Sequence, residues 1–180
     1  METVTFTGDL IPDSVVGYAH YWLKVVVAET SSTATDIAGT VKVYFCRNSE
    51  TGDGYQFDTG NSLTITKGST NIFYDANVCK LHVNGGAASE TLLTTVNWSD
   101  KKASDGSYKN TFSASFTQTQ NTRWSGTATG TFTGTTISPT NTYIYNGSSW
   151  KKGTVWIYNG TTWKAAAGKT AIHNGSSWKR

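Results

Sequence analysis

The chain has 180 residues, of which 37% are hydrophobic, 13% aromatic and only 15% charged. The hydrophobic and aromatic contents exclude a disordered chain, and the charged fraction is well below the roughly 25% of an average globular protein. Threonine, serine, glycine and asparagine take the place of strong helix formers, so the composition indicates β structure with many turns. No segment approaches the roughly 20 apolar residues of a transmembrane helix.

Charge is distributed unevenly along the chain. Residues 1–106 contain twelve acids and seven bases, a net charge of −5, whereas residues 107–180 contain eight bases and no acid, a net charge of +8. A basic region of this kind can contact nucleic acid, an anionic glycopolymer or an acidic partner chain. Alternatively, the lysines keep an aromatic-rich β region soluble and protect its edges from pairing.

Alternation of apolar and polar residues predicts strands along most of the chain. The clearest alternation covers residues 21–27 and 41–45, which are separated by the turn-rich segment ETSSTATDIAGT. Shorter strands bounded by turn signals such as DTGN, TKGS and NGGA are predicted at 55–57, 63–66, 72–74, 78–83, 92–98, 112–116 and 124–132. The pattern predicts an all-β fold, an antiparallel β-sandwich of Ig-like or jelly-roll type, with a barrel as the alternative.

Two cysteines, Cys46 and Cys79, lie in strand-like runs. The N-terminal sequence METVTFTGDL lacks the pattern of a signal peptide, so we expect synthesis in a reducing cytoplasm. Two free, buried thiols are therefore expected, with a disulfide as the alternative.

The C-terminal region contains three copies of one short unit, YIYNGSSWK, WIYNGTTWK and AIHNGSSWK. Asn-Gly is the preferred centre of a type I′ turn, so each unit predicts a hairpin with a two-residue loop. In that register Tyr143 is opposite Trp150, Trp156 is opposite Trp163, and Ala171 is opposite Trp178. A lone hairpin is marginal in water, so the units are expected to pack on one another, on the sandwich or on neighbouring chains. The predicted domains are a β-sandwich over 1–140 and a three-hairpin module over 141–180.

Two segments resemble the β-sandwich modules of minor tail and structural proteins from phages of Gram-positive bacteria. They are AHYWLKVVVAETSSTATDIAGTVKVYFCRNSETGDGYQF and KKASDGSYKNTFSASF, and the resemblance extends over roughly residues 18–135. The segment NVCKLHVNGG departs from that pattern. The YNG-S/T-S/T-W-K repeats also resemble the hairpin tails of such proteins.

The resemblance implies a virion component, in a tail fibre, a baseplate or the head surface, that contacts the host cell. It suggests other virion proteins and a host cell-wall glycan as partners, and a homotrimer as the first oligomer to test. No membrane association is expected, and nucleic-acid binding is a minor alternative that the basic, aromatic tail permits.

The aromatic and basic residues of the repeats are the candidate ligand-binding residues. Flat rings suit sugar rings, and lysines suit the phosphates of a cell-wall polymer. The alternative is that the rings form the core of the repeats, because no other side chains there are large enough. The candidates are Tyr143, Trp150, Trp156, Trp163, Trp178, Lys151 and Lys164.

Catalytic and metal motifs are weak. His20, His82 and His173 have no metal-ligand spacing, and no Gly-x-Ser-x-Gly elbow or phosphate-binding glycine loop is present. The cluster Ser99, Asp100, Ser104 and Asp105 fits a solvated turn better than a calcium site. We expect no cofactor and no enzymatic activity; the alternatives are a carbohydrate-binding module and a cell-wall glycan hydrolase.

Overall fold

The computed structural model describes residues 1–10, 20–48, 55–83, 88–120, 124–137, 142–145, 147–153, 156–158, 160–165, 172–173 and 178–179. The chain divides into two compact units, Met1–Ile137 and Ser138–Arg180. The predicted boundary at residue 140 falls close to this division, but whether each unit folds independently stays a prediction.

The first unit contains ten strands among its described residues. They are β1 (Thr3–Asp9), β2 (Tyr21–Ser32), β3 (Asp36–Arg47), β4 (Tyr55–Phe57), β5 (Asn61–Lys67), β6 (Thr70–Asp75), β7 (Leu81–Val83), β8 (Ser89–Lys101), β9 (Lys109–Gln118) and β10 (Gly126–Thr133).

Eight of these strands form two antiparallel four-stranded sheets. The first sheet has the order β1-β2-β3-β8 and the second has the order β10-β9-β5-β6, while β4 pairs only with β7. The two sheets pack face to face around one hydrophobic core. The prediction of an all-β sandwich is thereby confirmed.

The core is made by the inward positions of the alternating strands. Val25 and Val27 of β2 are fully buried, as are Ile65 of β5 and Phe112 of β9. Burying a side chain of this kind stabilises the fold by about 1.5 to 3 kcal/mol. The intervening residues are partly or fully exposed along most of these strands, so the alternation in the sequence is the alternation of the two faces.

The edge strands β1 and β10 close one side of the sandwich at very short range. A Cβ added at Gly8 would lie 2.2 Å from the carbonyl oxygen of Thr127, and one added at Gly126 would lie 2.2 Å from the carbonyl oxygen of Asp9. Only a residue without a side chain allows two backbones to approach so closely.

Most strand bounds differ by a few residues from the sequence prediction, and β10 begins at Gly126 instead of Trp124. Three differences are larger. Strand β1 was not predicted, although Val4 and Phe6 alternate with threonines. The segment ETSSTATDIAGT is mostly strand, because β2 continues to Ser32 and β3 begins at Asp36. Of the strand predicted at 78–83, only β7 is extended and paired.

The second unit contains three two-stranded antiparallel sheets among its described residues, one for each sequence repeat. The three predicted hairpins are therefore present in the fold. Their strands are β11 (Thr142–Tyr145) with β12 (Trp150–Gly153), β13 (Trp156–Tyr158) with β14 (Trp163–Ala165), and β15 (Ile172–His173) with β16 (Trp178–Lys179).

Candidate functional site

Every predicted ligand-binding residue lies on a strand of the hairpin repeats. The structure places Tyr143 on β11, Trp150 and Lys151 on β12, Trp156 on β13, Trp163 and Lys164 on β14, and Trp178 on β16. The aromatic residue and the lysine are consecutive on β12, β14 and β16. They therefore occupy alternate positions of the pleated strand.

The hairpin register differs from the prediction in all three repeats. Trp150 is opposite Tyr145 instead of Tyr143, Trp163 is opposite Tyr158, and Trp178 is opposite His173. The prediction of a two-residue loop is wrong, because four residues connect the paired ends of the strands in each repeat. The predicted partner Ala171 and the turn pair Asn174-Gly175 lie outside the described residues.

The glycines of the first two loops have left-handed backbone conformations. Gly147 and Gly160 have φ angles of +94° and +95°, a region that residues with a side chain rarely adopt. A glycine with positive φ suits a two-residue type I′ loop and a longer loop alike, so the Asn-Gly sequence does not by itself select the two-residue loop. The two registers differ by two residues, so they differ in which residues are opposite one another.

A second candidate site lies on the outward face of the first sheet. Trp22 of β2 is partly exposed, and the His20 ring lies against its indole with 5.0 Å between ring centroids and 30° between planes. His20 Nε2 lies 2.9 Å from Asp9 Oδ1 of β1, and the backbone N–H of His20 donates to Asn48 Oδ1 at 3.0 Å. These contacts brace the indole from two neighbouring segments.

A charged pair borders the same tryptophan. The Lys24 ammonium donates to Glu90 Oε2 of β8 and lies 4.9 Å from the centroid of the Tyr44 ring. The hydrogen bond to Glu90 raises the pKa of Lys24, and the burial that opposes it is too small to reverse the direction. The Lys24 ammonium thus holds the Glu90 carboxylate beside the site.

Trp22 and Glu90 border an open pocket of about 420 Å³ at the end of the first sheet. The volume lies within the roughly 300 to 1,000 Å³ of small-molecule sites. Its lining combines an indole, a guanidinium, an amide, a hydroxyl and a carboxylate, from Trp22, Arg47, Asn48, Ala88, Ser89 and Glu90.

Sequence reasoning missed this pocket. The outward position of Trp22 was readable from its alternation with the buried Tyr21 and Leu23. Its neighbours were not, because Asp9 lies on the unpredicted strand β1 and Glu90 is far away in sequence. Only the pairing of β1 with β2 and of β3 with β8 brings them together.

The outward face of the second sheet is a surface of hydroxyl side chains. Ser113 Oγ lies 2.9 Å from Thr129 Oγ1, and Ser115 Oγ lies 2.8 Å from Thr127 Oγ1, so neighbouring strands are joined by side-chain hydrogen bonds. These hydroxyl groups contribute to sheet pairing and carry no charge.

The two cysteines are free thiols, as predicted. Cys46 is buried, whereas Cys79 is only partly buried. Burial raises the pKa of each thiol to about 11, with a further contribution from the Glu90 carboxylate at Cys46 and from Asp75 at Cys79. Neither is a reactive thiolate at neutral pH.

The acids considered for calcium binding have protein partners. Asp100 Oδ2 accepts a hydrogen bond from Tyr108 at 3.0 Å and lies 3.0 Å from Lys67 Nζ, while Asp105 Oδ1 accepts from the N–H and hydroxyl of Ser107. Burial raises the pKa of Asp100, but the hydrogen bonds outweigh it and the net shift is downward. In the described part of the chain, no three histidine, cysteine or acidic side chains are grouped to hold a metal ion.

The described residues contain no helix long and apolar enough to cross a membrane. Comparison of the chain with protein-family models, curated proteins and solved structures finds no match. Functional inference therefore rests on the geometry of the chain and on the sequence resemblance.

Proposed function

We propose that this chain is a non-catalytic structural or host-adhesion component of the virion of a phage or prophage of Gram-positive bacteria. A tail fibre, a baseplate or the head surface would be its place, with other virion proteins and a host cell-wall glycan as partners. The proposal is supported by the order of the two units along the chain, in which an antiparallel sandwich is followed by three hairpins that repeat one aromatic and basic sequence. The sequences of both units resemble structural modules of phages.

The small size of each hairpin supports assembly. The longest has four paired positions and the shortest has two. Sheets of two short strands are marginal in water, because they bury one face at best. Packing against equivalent hairpins of other copies would bury further surface of these short sheets, and a homotrimer is the assembly we propose.

The full chain tests both parts of the proposal. Size-exclusion chromatography with light scattering is expected to give three chain masses, and sedimentation with purified Gram-positive cell walls is expected to remove the protein from solution. Trp163→Ala is expected to weaken at least one of the two, whereas Tyr74→Ala, which removes an exposed aromatic ring from the sandwich, should change neither.

Three results would contradict the proposal. A strict monomer at every concentration would exclude the assembly, and lack of sedimentation with walls from a broad panel of species would exclude adhesion to them. Release of soluble fragments from the wall by the purified chain would replace a binding protein with a glycan hydrolase.

A further inference from the structure

We propose that the pocket bordered by Trp22 and Glu90 binds one neutral sugar ring. The site lies on the sandwich, separate from the hairpin residues considered above, and it does not require the assembly of the chain into a virion.

The indole of Trp22 provides a pre-positioned surface for one face of the ring. Part of it is exposed, and the contact with His20, which is itself held at 2.9 Å from Asp9, fixes its orientation. The C–H groups on a sugar ring form an apolar face, which a flat aromatic surface can cover. Such a braced aromatic loses little conformational entropy when a ligand binds.

The rim of the pocket supplies hydrogen-bonding groups of both kinds. The Glu90 carboxylate accepts, and the exposed Ser89 hydroxyl both donates and accepts. Arg47 and Asn48 also line the pocket, but Arg47 is only 6% exposed and its Nε donates to the Asn48 carbonyl oxygen. Each hydroxyl of a sugar is also both donor and acceptor, so it can match either type of group. Glu90 remains half-exposed while it is bound by Lys24, so its carboxylate is accessible as well as fixed.

The charges around the pocket favour a neutral ligand over an ion. Glu90 is paired with Lys24. Arg47 is only 6% exposed, donates from Nε to the Asn48 carbonyl oxygen and lies over the Tyr21 ring. The two charged groups of the lining therefore already have protein partners. An ionic ligand would have to displace one of these partners, whereas a neutral sugar needs no counter-charge. The volume of about 420 Å³ suits a ring with its substituents and falls in the lower part of the range for small-molecule sites.

Saturation-transfer NMR on the full chain with glucose, galactose and N-acetylglucosamine tests the site. At least one of the three is expected to bind with a Kd on the order of 1 mM, as befits a ligand of this size on a pocket of this kind. Trp22→Ala should weaken binding roughly tenfold or more. Glu90→Gln keeps the side-chain size and should weaken binding several-fold through loss of the charged acceptor.

Tyr74→Ala is the matched control, because it removes an aromatic ring that is 64% exposed and lies on the other sheet. It should bind like the unmodified chain. Thermal unfolding shows whether each variant is folded. If Trp22→Ala does not fold, the sugar affinity of Glu90→Gln decides whether the pocket is the binding site.

The proposal is overturned if none of the three sugars binds, if Trp22→Ala and Tyr74→Ala bind equally, or if inorganic phosphate competes with the sugar. The cell-wall sedimentation described above is a separate readout. If the chain binds a sugar but does not sediment with cell walls, the adhesion proposal is wrong and the sugar site stands. If the chain sediments with cell walls but binds no sugar, only the sugar-site proposal is wrong.

Discussion

The burial of the two cysteine thiols determines how they should react. With a pKa of about 11 in place of 9.0, the thiolate fraction at pH 8 falls about 100-fold below that of the unfolded chain. We predict that iodoacetamide modifies both cysteines at least that much more slowly in the native protein than in denaturant. Because the pKa is raised, the native rate should climb steadily as the pH rises from 8 towards 11.

Single variants assign the rates to each residue. Cys46→Ala leaves the partly buried Cys79, and Cys79→Ala leaves the buried Cys46, so mass spectrometry of each variant follows one thiol. A native rate equal to the denatured rate would show that the thiol is not buried.

The side chains near Trp22 illustrate what could be predicted for single residues. The free thiols were predictable, because both cysteines lie in strand-like runs and lack a CxxC spacing. The pocket was not, because its residues come from separate strands and only the register of those strands makes them neighbours. The buried carboxylate of Glu29 is a similar case, since it accepts the N–H and hydroxyl of Thr135 at 2.9 Å across 106 positions of sequence.

The close approach of β1 to β10 determines whether replacing Gly8 with alanine raises or lowers the stability of the protein. In a strand interior, alanine is more favourable than glycine by roughly 0.5 to 1 kcal/mol. At Gly8, however, the added Cβ would meet backbone atoms of Thr127 at 2.2 Å, and the backbone must move. Gly8→Ala should therefore lower the free energy of unfolding by about 1 to 3 kcal/mol, measured by urea denaturation.

The neighbouring residue gives the control. Thr7 lies on the same strand and is exposed, so Thr7→Ala should change stability by less than about 0.5 kcal/mol. A more stable Gly8→Ala variant would mean that the two edge strands are farther apart than the structure has them.

Cross-linking distinguishes the two hairpin registers. Thr142 is opposite Gly153 in the structure, whereas the two-residue loop would place it opposite Lys151. Directly opposite residues have Cα atoms about 4.5 to 5.5 Å apart, which a disulfide can span, whereas diagonal neighbours are about 7 to 8 Å apart. We predict that Thr142→Cys with Gly153→Cys forms a disulfide under mild oxidation, observed as a mass loss of two hydrogens.

The matched pair is Thr142→Cys with Lys151→Cys. If this pair forms a disulfide faster than the first pair, the two-residue loop is correct and the four-residue loop is wrong. Both pairs leave the aromatic residues intact, so the comparison isolates the register.

The elements show where sequence patterns are informative. Hairpin positions were predictable, because Asn-Gly marks a turn. Loop length was not, because both registers keep the same faces and differ only in which residues pair. Strand β1 was missed because its outward residues are threonines and only Val4 and Phe6 point to the core side, so its apolar signal is weak.

The molecule as a whole combines two units of opposite charge. Met1–Ile137 contains twelve acids and nine bases, a net charge of −3, whereas Ser138–Arg180 contains six bases and no acid, a net charge of +6. If the chain attaches to an anionic wall polymer, the second unit should provide the attraction, and added salt should screen it because the Debye length shrinks to about 8 Å at 0.15 M.

Neutralising lysines in each unit separately tests this division. Lys151→Gln combined with Lys164→Gln is expected to weaken sedimentation with Gram-positive cell walls at low salt, with a smaller difference at 0.5 M salt. Lys42→Gln combined with Lys109→Gln removes the same charge from exposed positions of the sandwich and should have little effect, since the net charge there is already negative.

Equal losses in the two double variants would mean that attachment depends on total charge and not on the hairpins. A salt-independent interaction that neither double variant changes would instead place attachment on uncharged contacts, such as the aromatic surfaces.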